Sequence, residues 1–134
     1  MKIRKATKKD YKEITKLRVE FEKYQDKLWK GKDRKLNNVF EKTKANFLQL
    51  LEKEVLRHLK SKDSAYFVAE VDAEMIGFLS LSIKKSSHIL HLERFGRLHY
   101  AFIKKQYRGK GIFTQLMKEA KKWFKKRGIN YWTL

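Results

Sequence analysis

The residue types best suited to chemistry lie together in Phe102-Ile103-Lys104-Lys105-Gln106-Tyr107-Arg108-Gly109-Lys110-Gly111-Ile112, where an apolar strand meets a helix through a basic, glycine-rich turn. That chemistry is anion binding. Gly109 and Gly111 let the backbone approach a ligand closely and take up positive φ. The amides that open the helix have no intrahelical acceptors and point outward as donors. The helix dipole adds roughly half a positive charge at that end, and Arg108 and Lys110 add whole charges beside it. Together these predict a diphosphate cradle. The spacing is neither that of a Walker loop, which needs Gly-Lys-Ser/Thr after a four-residue spacer, nor the three-glycine dinucleotide fingerprint. On the local residues alone, a basic turn whose glycines serve only chain reversal is the alternative.

Other groups carry less. His88 and His91 have a spacing that suggests a metal pair, but no third ligand is apparent and the surroundings are basic, so no metal is expected. Trp123, Phe124, Tyr131 and Trp132 could form a stacking platform for bases, yet their helical and strand spacing favours core packing. The chain has no cysteine, which excludes disulfides, thiolate nucleophiles and cysteine-ligated zinc.

The elements that position the turn are readable from periodicity. Ile3 to Thr7 is a short extended start, and Thr7-Lys8-Lys9-Asp10 resembles a capping box with Asp in place of Glu. Tyr11, Ile14, Leu17, Phe21, Tyr24 and Leu28 then mark one face of a helix. A polar loop at 30–38 leads to a second helix that buries Phe40, Phe47, Leu48, Leu51, Val55, Leu56 and Leu59. Ala65–Val71 and Met75–Ile83 read as a hairpin around Asp72-Ala73-Glu74, without the glycine that would strengthen the turn. Gly77 suggests a bulge. Residues 84–96 are a loop or the tail of a long strand, and 97–103 is a further strand. Ile112 to Arg127 is a helix with Gly128 as its stop, and 130–134 begins a last strand. The final strand–turn–helix–strand unit is a parallel crossover, so the sheet is mixed. The expected fold is α/β (α+β), one domain over 1–134.

Composition fits this. Hydrophobic residues make up 42% and aromatics 13%, enough to exclude disorder despite 37% charged residues. No apolar run approaches the roughly 18 residues of a membrane span, and no h-region follows the N-terminus. A cytoplasmic protein without membrane contact is expected. The net charge of +19, from 34 Lys+Arg against 15 Asp+Glu, reads first as a solvated lysine-rich surface. The alternative is an acidic or nucleic-acid-associated partner.

The turn also resembles the signature of GNAT N-acetyltransferases, Gln/Arg-x-x-Gly-x-Gly/Ala, matched by Gln106-Tyr107-Arg108-Gly109-Lys110-Gly111. The order of elements over the whole chain is similar to that family's. The resemblance implies a mostly antiparallel sheet with a parallel pair splayed near the C-terminus, and acetyl-CoA as cosubstrate in the V-shaped gap. It implies that the strand ending at Phe102 and Ile103 binds the pantetheine arm, that amides of Tyr107–Phe113, including Ile112, hold the pyrophosphate, and that an N–H near Ile103 polarises the acyl carbonyl. An amine would then attack the thioester directly.

Three departures from the family pattern bear on activity. The usual later helix and strand, with a tyrosine serving as general acid, are not seen before Leu134, and Tyr131 stands too early to replace it. The last strand is therefore expected to belong to a longer product or to be covered by a second copy of the chain. Where many relatives carry a carboxylate on the strand before the signature, this chain has His99 beside Tyr100. His99 is the candidate general base, with Glu93 and Glu70 as alternatives. Phe113 replaces a usual Gly or Ala and is expected either to crowd the pyrophosphate or to pack into the core. The leading reading is an N-acetyltransferase acting on a primary amine. Its rival is a catalytically impaired GNAT-like module that binds CoA or a polyanion.

Overall fold

The computed structural model describes residues 1–29, 34–85 and 94–133, with side chains outside 26–45. In chain order it forms β1 (Lys2–Lys5), α1 (Tyr11–Trp29), α2 (Arg34–Lys60), β2 (Ser64–Val71), β3 (Glu74–Lys85), β4 (Arg94–Ile103), α3 (Ile112–Lys126) and β5 (Trp132–Thr133). One sheet runs β1-β2-β3-β4-β5, antiparallel except for the parallel β4–β5 pair. This is the mixed sheet that the crossover unit requires. Among the described residues, no helix is long and apolar enough to cross a membrane.

α1 and α2 cover one face of the sheet and α3 the other. β2 is therefore buried on both sides. Ala65, Phe67 and Ala69 pack beneath α3, and Tyr66 and Val68 beneath α1 and α2, so this strand reads as a continuous apolar run. The N-terminal corner is tied by charge. Arg4 grips both oxygens of Asp10 at 2.8 Å and donates to Glu70 at 2.7 Å. Asp10 also accepts from the Thr7 amide at 2.8 Å, the reach-back half of the expected capping box. At the far end of α3, Gly128 and Ile129 donate to the carbonyls of Lys125 and Phe124, which is a Schellman stop.

Several expectations change. α2 opens at Arg34, inside the stretch 30–38 expected to be loop. Leu48 is 51% exposed rather than buried, and the inward stripe runs through Leu51 and Val55. Strand structure enters the polar stretch at both ends, β3 reaching Lys85 and β4 opening at Arg94. His88, His91 and Glu93 lie outside the described residues. Trp123 and Phe124 are core residues, but Tyr131 is 60% exposed and Trp132 partly so. Both sit at the sheet's outer edge, where strand spacing alone does not secure a covering layer.

The β2–β3 turn closes without glycine. Asp72 and Ala73 have φ of 50° and 64°, the left-handed pair of a type I′ turn. Alanine there is strained by about 1 kcal/mol. Ala73→Gly is therefore expected to raise stability by ~0.5–1 kcal/mol in chemical denaturation, and a lowered midpoint would contradict this turn geometry.

Two bulges interrupt the ladders. Ile76 is the extra residue of β3, next to the Gly77 that signalled it. In β4 the extra residue is His99, since Tyr100 pairs with Ser80 and Leu98 with Leu81. A bulge re-aims its side chain. The parallel pair is short: Gly96 aligns with Trp132, Arg97 with Thr133, and the Gly96 amide donates to Tyr131 at 2.8 Å. Past Arg97, β4 has no ladder partner on that side among the described residues.

Candidate active site

The cradle forms where β4 gives way to α3. Gly109 and Gly111 have φ of 76° and 78°, and Gly111 caps α3 without a side-chain hydrogen bond. A Cβ at either position would meet nothing within 4 Å. Glycine is thus needed for conformation, and the backbone faces open space. The first bond into the helix runs from the Gln115 amide to the Gly111 carbonyl at 3.2 Å. Among the described residues, no acceptor takes the six amides from Gly109 through Thr114. The Tyr107 and Arg108 amides are used inside a 3-10 turn, donating to Lys104 and Lys105 at 2.9 and 3.3 Å. The free donors therefore begin later than the expected Tyr107–Phe113 range and extend one residue further. Six amides without an acceptor, at and just before the positive end of a 15-residue helix, suit a multiply charged anion.

The side chains divide their duties differently from the sequence reading. Arg108 keeps its charge beside the turn and is also anchored. Its Nε donates to the Ile103 carbonyl at 2.7 Å, and its guanidinium lies over Tyr24 at 4.8 Å and Phe102 at 5.5 Å. It staples the turn to β4 and α1. Lys110 lies over the Tyr107 ring at 5.7 Å. Ile112 is buried, Phe102 packs under α1, Ile103 and Tyr107 pack under α3, and Gln106 is exposed. Phe113 is 43% exposed; it stands on the surface of the first turn of α3, which removes the core alternative.

Backbone polarity on β4 follows from one bond. Lys104 donates to Ile76 of β3 at 2.9 Å, so the neighbouring Ile103 N–H and C=O face the opposite, open edge. Arg108 reaching the Ile103 carbonyl from that side agrees with this direction.

A second feature lies on the α1–α2 face. His58, Ser82, His99 and Tyr100 line a polar pocket of about 350 Å³, with Glu54, Arg57 and Lys84 at its edge. His99 Nε2 is hydrogen-bonded to Ser82 Oγ. The His58 ring stands edge-on to His99 at 5.8 Å, with its Nε2 3.0 Å from the Leu81 carbonyl. A carbonyl only accepts, so His58 Nε2 carries the hydrogen. Beneath lies Arg18, 3% exposed, donating to the Tyr66 hydroxyl at 3.0 Å and stacking on Tyr100 at 4.2 Å. Glu70, an alternative base, is two strands away and held by Arg4.

Burial, then the charges of His58, Lys84, Arg97 and Arg18, push the His99 pKa down to about 4. Burial lowers that of His58 as well. Both rings are neutral in the fold but take up protons below about pH 6.5 once unfolded. The contribution of each is present above that pH and is lost as pH falls below it, for His99 toward 4. The thermal midpoint should thus drop between pH 7 and pH 5, and His99→Gln should shrink the drop. An unchanged midpoint would show these rings to be solvated.

The profile of the acetyltransferase (GNAT) family matches residues 23–134. The chain belongs to the GNAT acetyltransferase family. An uncharacterised N-acetyltransferase of Methanocaldococcus jannaschii is 33% identical over 70 residues, which are 52% of this chain and only 30% of that protein. Among solved structures, a mutant of the BH1408 protein of Bacillus halodurans superposes with a TM-score of 0.77 at 15% identity, over 100% of this chain and 81% of that one. The aminoglycoside N-acetyltransferase AAC(6')-Iy in complex with CoA gives 0.69 at 17%, over 98% and 76%. A ribosomal-protein-alanine N-acetyltransferase of Brucella melitensis gives 0.66 at 17%, over 100% and 78%. At these identities the structures show a shared GNAT fold.

Sequence reasoning missed His58, Ser82 and Arg18 in this GNAT domain. His58 follows the buried Val55 at helical spacing, and Ser80 and Ser82 break an otherwise apolar β3. Polar residues inside a buried stripe were the available signal, and it was read only as core pattern.

Proposed function

We propose that this GNAT domain is a cytoplasmic, acetyl-CoA-dependent N-acetyltransferase that moves an acetyl group to a primary amine by direct attack on the thioester. The observation that carries the reading is the run of six unpartnered amides from Gly109 to Thr114 at the head of α3. They would hold the CoA diphosphate, with Gln106 and the Tyr107–Arg108 turn shaping the approach and Phe113 beside it. The open edge of β4 at Phe102 and Ile103 would carry the pantetheine arm, and the Ile103 N–H would meet the developing oxyanion. The amine forms the new C–N bond, the tetrahedral adduct collapses, and the thiolate leaves as CoA. One proton leaves the nitrogen.

His99 is the proposed acceptor of that proton, with a restricted role. A free ammonium with pKa near ~10 cannot pass its proton to a group at about 4 without several kcal/mol of cost. The attacking amine must therefore enter as the free base, and His99 takes the proton only from the far more acidic adduct. The rate should rise with pH through the amine's own pKa, with no break near 6.5, when thiol release is followed with acetyl-CoA and a panel of amines. A break near 6.5 would restore His99 as an ordinary base. CoA binding without thiol release from any amine would instead establish the non-catalytic module, which the lowered basicity of His99 also favours.

A further inference from the structure

Resting on the acetyltransferase reading, we infer that the acceptor is a small primary amine that also bears a carboxylate or phosphate, seated in the pocket between α2 and β4 with its anion on Arg57 and Lys84. The pocket of about 350 Å³ lies at the small end of ligand sites. It opens beside His99, the bulged residue of the strand whose other edge would carry the acyl arm. Its lining is hydroxyl and imidazole with cations at the edge. Among the described residues the single carboxylate lining it, Glu54, faces the buried guanidinium of Arg18 at 3.8 Å. Lys84, Arg97 and Arg18 all act on His99 as positive charges. The field inside is positive.

That field has two consequences for a ligand. A polycation meets like charge with no spare carboxylate, whereas an amine carrying an anion gains two exposed basic partners. Burial foremost, with this field added to it, keeps His99 unprotonated, and both disfavour an ammonium beside it, so the pocket admits the amine as its free base. Selection and activation thus come from one pocket. Arg57 and Lys84 are both exposed, and neither is placed in the cofactor cradle.

The test compares β-alanine, O-phosphoethanolamine, propylamine and spermidine as acceptors for the wild-type chain and for Arg57→Glu/Lys84→Glu. The inference expects kcat/KM for the two anionic amines to exceed that for propylamine by about tenfold or more, and this preference to vanish or invert in the variant while CoA affinity stays constant. The ratio between the first two separates carboxylate from phosphate. Preference for propylamine or spermidine in the wild type, or a preference untouched by charge reversal, would overturn it. If no amine releases thiol, the acetyltransferase reading fails by itself. Calorimetry on the CoA-saturated protein then decides the pocket: tighter binding of the anionic amines upholds it, and equal or absent binding overturns it.

Discussion

Alanine at Gly111 is expected to weaken CoA binding by about tenfold or more while the chain stays folded. Gly111 holds φ of 78° at the start of α3, a conformation that costs an L-residue about 1–2 kcal/mol. Tenfold in affinity corresponds to about 1.4 kcal/mol. An alanine escapes the strain by turning its peptide planes, and those planes carry the amides proposed to face the diphosphate. The new methyl also projects into the open space on the binding side. Gly109→Ala combined with Gly111→Ala should remove measurable binding. Gly128, with φ of 73° at the far end of the same helix, supplies the control. Gly128→Ala should lose similar stability in denaturation yet keep its CoA affinity in calorimetry. Equal affinities for all three proteins would remove the turn from the binding site.

Gly96→Ala should be the most destabilising single methyl in the chain. A Cβ there would stand 2.5 Å from Cε1 and 2.6 Å from Cζ of Phe124, whose ring is 1% exposed and stacks on Trp132 at 6.0 Å. The ring cannot retreat into a filled core, so overpacking should cost about 3 kcal/mol, read as a thermal midpoint lower by roughly 10 °C. Gly96 also begins the parallel pairing with β5, so the damage falls at the point where β4 loses its partner. Phe124→Leu in the same chain should return part of the loss, giving a favourable coupling in the double-mutant cycle. Additive losses would mean that the ring and the strand do not press on each other.

What the sequence disclosed follows from the range of the forces involved. The order of elements, the Thr7–Asp10 cap and the Gly128 stop depend on neighbours a few residues apart, the mixed sheet follows from the crossover that this order imposes, and all appear in the structure. The positive φ at Gly109 and Gly111 was legible for the same reason, since glycine conformations are local. The bond from Arg108 to the Ile103 carbonyl was not legible, because that partner lies five residues back and across a turn. Tyr131 and Trp132 were misjudged because strand spacing records a face without recording what covers it. The polar residues of the pocket could be noticed one by one, but not their meeting. His58, Ser82, His99 and Lys84 come from α2, β3 and β4 and meet only once the sheet has formed, and the bulge that re-aims His99 leaves no mark in composition.

Titration of the chain with CoA and, in parallel, with pantetheine, which lacks the diphosphate and its nucleotide, measures what the turn contributes to cofactor binding. CoA should bind with an affinity that falls as salt is raised, and pantetheine should bind at least about tenfold more weakly. Equal affinities for the two, or no binding of CoA, would contradict the assignment of the Gly109–Thr114 amides to the diphosphate.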